Sequence, residues 1–337
     1  MNSTIDPHKV PQKILVSGEK IPCIGMGTYG SDHFSADEIA DAVLLAVSYG
    51  YRMFDCASVY GNEVQIGKAF SVAFEEGRVT RDELFVTSKI WNDMHGRGDV
   101  LISCAQTVKD LGLDAIDLYF LHWPFPQSAV CQCDSGTPDM KSRTFSADSF
   151  LHTWRQMESL VDMGLVRYIG MSNMTIPKLE AILPLCRINP VAIQMELHPS
   201  FQQEELFNYC IEHKIQPIGF CPIGSPMRPD SETMQSDIVD IALPEVLSVA
   251  KAHHVHPAVV CLKWAVQRGQ IPIPFAVDAQ YLLSNLECVT NDPLSDAEMQ
   301  LIRNSDYNCR LIKGRQFLWE DAKGWEDLWD IDGTITR

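Results

Sequence analysis

The sequence predicts a (β/α)8 TIM barrel. Eight short runs rich in β-branched and aromatic residues alternate with helical apolar patterns, and no linker or shift in composition divides them. No G-x-G-x-x-G follows the first run, where Gly25-Met26-Gly27-Thr28 leads into Tyr29-Gly30 and a loop, so a doubly wound sheet lacks its fingerprint. The 337 residues are expected to form one domain, with the barrel over about 14–305 and a C-terminal specificity loop over about 305–337.

Residues 14–22, ILVSGEKIP, read as an N-terminal hairpin with Gly18 in the turn. The first barrel strand falls in 23–28. Ser35-Ala36-Asp37-Glu38 is a capping box ahead of a helix that stops at Gly50. The next units pair 51–55 with a helix from about 63, 84–88 with 100–111, and 116–121 with 149–163. The second half pairs 166–170 with 177–185, 192–195 with 203–213, 215–220 with 257–267, and 271–274 with 280–287.

Three segments stand outside this rhythm: 123–148 after the fourth strand, 221–242 after the seventh, and 305–337. Long loops after barrel strands sit over the active face, so these are candidates for substrate contact. The tail carries Phe317, Trp319, Trp325 and Trp329 among acidic residues; they fit anchors to the barrel or walls of a pocket.

Lys+Arg 27 against Asp+Glu 44 leaves a formal charge of −17, which repels phosphate and argues against nucleic-acid binding. A hydrophobic share of 46% with 21% charged residues suits a large core. No apolar run is long enough to span a membrane, and the start lacks a secretory pattern, so a cytoplasmic location is expected. Eleven scattered cysteines are not a disulfide framework. No metal site is expected, either at Cys131-Gln-Cys133 or at His253, His254 and His256, which are placed on a helix surface away from carboxylates.

Polar residues just after barrel strands converge on one mouth. This filter selects Asp55, Tyr60, Lys89, His122, Ser172, Asn173, Gln194, Glu196 and His198. A tyrosine, with an ordinary pKa of about 10, becomes a useful acid when a nearby ammonium stabilises its phenolate. Lys89 is therefore expected to lower the Tyr60 pKa, Asp55 to hold Lys89, and His122 to donate to or orient a substrate oxygen. Each alone also fits a rim ion pair or a satisfied core histidine.

Several motifs give the chain a resemblance to the aldo-keto reductases over about 14–305. They are Gly27-Thr28, Gly50-Tyr51-Arg52-x-x-Asp55-x-x-x-x-Tyr60-x-Asn62-Glu63, Thr87-Ser88-Lys89, Leu121-His122-Trp123-Pro124, Gly170-Met171-Ser172-Asn173 and Gln194-x-Glu196-x-His198-Pro199. The resemblance implies carbonyl–alcohol interconversion by hydride transfer from a nicotinamide cofactor bound without a Rossmann motif. It implies Tyr60 as the general acid, tuned by Asp55 and Lys89, with His122 orienting the carbonyl. Ser172, Asn173 and Gln194 would hold the nicotinamide carboxamide; Gly27, Thr28 and Asp55 would line the cofactor cleft. Tyr29, Val59 and Trp123 would join Tyr60 and His122 around the substrate.

Two stretches depart from the family pattern. Where it has A-Y-S-P-L-G-S, this chain has Gly219-Phe220-Cys221-Pro222-Ile223-Gly224-Ser225; Phe220 can still stack under the nicotinamide, while Cys221 replaces a serine near the pyrophosphate. After the eighth strand, NADPH-preferring members carry I-P-K-S-x-x-x-x-R-x-x-x-N. Here Phe275, Ala276 and Tyr281 replace the Lys, Ser and Arg that clasp the 2′-phosphate, and Asn285, matching an adenine contact, remains. Each lost charge-assisted bond is worth about 1.5–3 kcal/mol. Asp278 would repel a phosphate and accept from a free 2′-hydroxyl, or it caps the next helix; Arg228 is an alternative phosphate ligand.

The expectation is thus an NAD(P)-dependent oxidoreductase, NAD(H) preferred over NADP(H), acting on a small carbonyl or alcohol as a monomer or small homo-oligomer. The loops, with Gln127, Asp139, Arg143, Arg228 and Asp230, suit either a polar sugar or an aryl ketone. The alternatives are a non-catalytic nicotinamide-binding regulatory subunit of the same fold and a Schiff-base aldolase using Lys89.

Overall fold

The computed structural model describes residues 4–30, 32–125, 144–226, 228 and 233–336. Cys131, Cys133, Gln127, Asp139, Arg143 and Asp230 lie outside the described residues. β1 (Gln12–Ile14) and β2 (Lys20–Pro22) form the antiparallel hairpin. The barrel then runs β3 (Met26–Gly27), α1 (Ala36–Tyr49), β4 (Met53–Asp55), α2 (Glu63–Glu75), β5 (Phe85–Ile90), α3 (Asp99–Asp110), β6 (Ile116–Leu121), α4 (Ala147–Asp162) and β7 (Val166–Ser172). It continues α5 (Ile176–Ile182), β8 (Ala192–Glu196), α6 (Glu204–Glu212), β9 (Gln216–Phe220), α7 (Pro244–His253), α8 (Pro257–Arg268), β10 (Ile271–Pro272), α9 (Ala279–Glu287) and α10 (Asp296–Arg303).

β3 to β10 form one eight-stranded sheet in sequence order, and the strand pairs are parallel. Gly25 N donates to Pro272 O at 3.0 Å and Gly27 N to Pro274 O at 2.9 Å, so the first strand meets the last and the sheet closes into a (β/α)8 barrel. The signals read from the sequence operate as expected at α1: Ser35 and Glu38 cap each other's backbone, and Gly50 ends the helix at φ 111°.

Side chains alternate across a strand, which sorts the barrel interior by height. Met53, Phe85, Leu118, Phe120, Ala192 and Ile218 pack in one buried cluster joined by Leu15 and Ile21 of the hairpin. Two residues further along the same strands stand Asp55, Thr87, His122 and Gln194, and Lys89 lies two beyond Thr87. The strands therefore carry an apolar plug below and a polar layer above.

Two helices were absent from the sequence reading. α7 packs on α8 and α10 on α7, in a cluster that joins Val246, Val249, Leu294 and Ile302 with Val260 and Trp264. They also correct the expectation for His253. Its Nδ1 lies 2.6 Å from Asp292 Oδ2 and its Nε2 3.0 Å from Glu298 Oε1, because the turn before α10 and α10 itself fold back against α7, each bringing one carboxylate. Among the described residues no group of three or more His, Cys, Asp or Glu side chains could hold a metal ion, and the nine described cysteines are unpaired. No helix among them is long and apolar enough to cross a membrane.

The tail returns across the mouth. Phe317 packs on Trp123 at 4.4 Å and Trp91 at 5.8 Å; Trp329 lies 5.6 Å from Trp123 and donates Nε1 to Lys313 O at 2.9 Å. Buried Lys178 and Thr175 both donate to Asp330 Oδ2 at 2.5 Å. These aromatics are anchors, and the tail's contribution to the central cavity comes from Ile312 and Gln316 instead.

Candidate active site

The last residue of β4, the end of β5 and a 3-10 turn at Ser58–Tyr60 bring three charged or phenolic groups together. Lys89 Nζ donates to Asp55 Oδ2 at 2.6 Å and Cys56 O at 2.8 Å, and lies 3.4 Å from the Tyr60 hydroxyl. All three ammonium protons thus have an acceptor. Asp55 Oδ1 accepts from Thr87 Oγ1 at 2.6 Å and Gln194 Nε2 at 2.7 Å, which fixes the carboxylate from two further strands. Ser58 Oγ donates to Lys89 O at 3.1 Å, tying the tyrosine turn to β5.

His122, just after β6, stacks edge-on to Tyr60 at 6.0 Å and Trp91 at 5.1 Å. Burial, with a smaller contribution from Lys89, holds its pKa well below the usual histidine value, so it is a neutral imidazole. The expectation for Tyr60 is corrected. Burial first, then the Asp55 charge, hold its pKa well above the ordinary value. Tyr60 is accordingly a neutral phenol at physiological pH.

Tyr60, His122 and Trp123 line a cavity of about 270 Å³ that extends between the loops after β3 and β9. Gly27, Thr28, Tyr29, Asp55, Asn173, Gln194, Phe220, Cys221, Pro222, Ile223, Ser225 and Phe275 line it as well. Asn173, at φ 58°, turns its Nδ2 to His122 O at 2.9 Å and to Ser172 Oγ at 3.2 Å. Its Oδ1 is left buried without a hydrogen-bond partner among the described residues, as is Trp123 Nε1. Gln194 donates its amide N–H to Asp55 and lines the same cavity. The orphan Asn173 Oδ1 is an acceptor of the kind that a primary carboxamide N–H satisfies, so this wall fits a nicotinamide.

A model of the aldo/keto reductase family matches residues 23–306. The chain belongs to that family. An aldo/keto reductase of Synechocystis is 38% identical over 322 residues, covering 95% of this chain and 92% of the relative. The NADP-dependent D-sorbitol-6-phosphate dehydrogenase of Malus domestica is 36% identical over 299 residues, covering 88% and 94%. The crystal structure of a Bombyx mori aldo-keto reductase in complex with NADP superposes with a TM-score of 0.80 at 30% identity, covering 92% of this chain and 96% of that one. This aldo/keto reductase is therefore an oxidoreductase that works with a nicotinamide cofactor on small carbonyl compounds.

Not every residue expected in the reductase's site reaches the cavity. Val59 packs against the main core, and Val59, Ser172 and Gly224 are not among the lining residues. Ala276 and Asp278 precede α9, Tyr281 and Asn285 lie within it, and none of the four lines the central cavity. Asp278 is the N-cap of α9, its Oδ1 accepting from Gln280 N at 2.8 Å and Tyr281 N at 3.3 Å. Phe275 leans across the cleft: its ring lies 5.8 Å from that of Phe34, and a Cβ on Gly30 would meet it at 2.3 Å. Thr87, Phe34, Ile312 and Gln316 were missed. Thr87 sits in the same Thr-Ser-Lys run as Lys89, two residues away on the same face, a signal the strand period could have supplied.

Proposed function

We propose that this aldo/keto reductase interconverts a carbonyl and its alcohol with Tyr60 as the acid in reduction and the base in oxidation, and that it prefers NAD(H). The Lys89 contacts to Asp55 and Tyr60 within one cavity carry the reading. A dihydronicotinamide held against Asn173, Gln194 and Phe220 would supply the hydride for reduction of a carbonyl carbon. Tyr60 gives its proton to the oxygen, and the phenolate so formed is stabilised by the ammonium at 3.4 Å. Asp55 keeps that ammonium charged and aimed. His122, neutral, donates a single N–H to orient the oxygen and does not compete as an acid. Ser172, Asn173 and Gln194 hold the carboxamide, which selects the ring face that reacts. The aldolase alternative loses support because a Lys89 engaged by three acceptors is protonated and a poor nucleophile.

NAD(H) preference rests on Phe275, Ala276 and Tyr281 standing where cations and a hydroxyl would clasp a 2′-phosphate, with the Asp278 charge between them. The NADP named for the Malus and Bombyx relatives does not favour this preference. Arg228, the alternative phosphate ligand, donates to Asp237 Oδ2 at 2.5 Å and to Ser225 O at 3.3 Å, bonds it would have to share with a phosphate. A screen of aldehydes, ketones, polyols and sugars in both directions with both cofactors, followed by nicotinamide absorbance, tests the reading. Turnover with no carbonyl or alcohol in the presence of bound cofactor would refute it.

A further inference from the structure

The segment after β9 and the C-terminal tail both contribute residues to the cavity wall. Ser225 and Arg228 line it from the first, Ile312 and Gln316 from the second. Between them sits Asp237. Its Oδ2 accepts from Arg228 Nη2 at 2.5 Å and Met234 N at 2.8 Å, and its Oδ1 from Lys313 Nζ at 3.1 Å. The side chains of Arg228, Asp237 and Lys313 are only 7%, 5% and 6% exposed. One carboxylate therefore bridges two cations out of water, one from each segment.

A second tie runs parallel to the first. Asp240 Oδ1 accepts from Ser200 N at 2.7 Å, and its Oδ2 lies 2.9 Å from His198 Nδ1. His198 Nε2 reaches Glu196 Oε1 at 3.0 Å, and Glu196 accepts Leu311 N at 2.7 Å and Ile312 N at 3.0 Å. Gly224 leans on the same Asp240, whose Oδ2 would stand 2.1 Å from a Cβ there. Ile238 N adds a bond to Cys309 Sγ at 3.4 Å.

We infer that Lys313 and Asp237 are positioning residues that make cofactor affinity and substrate affinity depend on one another. The inference rests on the functional reading above, with the dinucleotide lying along the Phe220–Ser225 stretch as the family resemblance implies. Separating either cation from Asp237 strands a buried charge, which is costly, so the cofactor side and the substrate side shift together. A dinucleotide that settles Arg228 thereby settles Lys313, and with it Ile312 and Gln316.

The test is Lys313→Met, a change on the substrate side, read on the cofactor. The dissociation constant of NADH is measured by quenching of tryptophan fluorescence, and KM and kcat with 4-nitrobenzaldehyde as the probe carbonyl. The expected result is weaker NADH binding by about fivefold or more, the low end of coupling between linked sites, with KM raised and kcat little changed. Lys313→Arg restores both constants, which a purely local packing defect would not allow. Asp237→Asn, which keeps the shape and removes the central charge, gives the same joint loss. An unchanged NADH constant in Lys313→Met and Asp237→Asn overturns the inference alone; a wild-type chain that binds neither NADH nor NADPH overturns the functional reading and the inference with it.

Discussion

Lys89 and Asp55 form a fully buried ion pair, with 2.6 Å between Nζ and Oδ2, at the floor of the cavity that Tyr60 lines. Removing one partner strands the other in a low dielectric, while removing both does not. Lys89→Met should lower kcat by about 10²–10⁴-fold, the range for a lost acid–base function, and destabilise the fold by about 3–5 kcal/mol. The double variant Lys89→Met with Asp55→Asn should recover much of the stability in urea unfolding and none of the activity. Recovery of activity would detach the pair from catalysis.

Phe275 governs the cofactor prediction. NADH should bind more tightly than NADPH by more than about tenfold, given two absent charge-assisted bonds. Phe275→Lys should raise NADPH affinity and make it fall steeply with salt, since a surface cation on a phosphate is screened. Fluorescence titrations at two ionic strengths measure both effects. Tighter NADPH binding by the wild type would remove the proposed preference.

Gly224 adopts φ 78° with Asp240 against it, so a side chain there is strained twice. Gly224→Ala should cost about 1–3 kcal/mol in thermal unfolding, the range for enforced backbone strain, and weaken dinucleotide binding. A variant as stable as wild type would mean the segment relaxes without loss.

The pH dependence of stability has a definite sign at His198. Burial opposes its charge, but Asp240 and Glu196 on its two nitrogens outweigh that and raise its pKa from 6.5 to about 9. Because the folded value is the higher one, the stabilisation is complete below pH 6.5 and is lost as pH rises through 9. On the order of 3 kcal/mol is at stake across that window. Urea midpoints across it should fall with rising pH in wild type and flatten in His198→Asn. Parallel profiles for the two proteins would remove His198 as the source.

The strand and helix periods made the barrel legible, and the rule that polar residues after strands converge found Asp55, Lys89, Tyr60 and His122. What stayed hidden depends on distant partners. α7 is buried against α8 and α10 against α7, so neither shows the repeat of a barrel unit. The direction of the Tyr60 shift follows first from burial and then from the Asp55 charge, and the depth of burial is not recorded in a linear sequence. Ile312 reaches the wall because Glu196, more than a hundred residues earlier, holds the tail backbone. The carboxylates at His253 come in the same way from α10 and the turn before it.

Tyr60→Phe removes one hydroxyl from the centre of the site and leaves Lys89 and Asp55 paired. Steady-state turnover of a carbonyl by this variant, measured beside its NADH dissociation constant, bears most directly on Tyr60 as the proton donor. The expected result is loss of turnover with cofactor binding comparable to wild type. Turnover retained at the wild-type rate would contradict it.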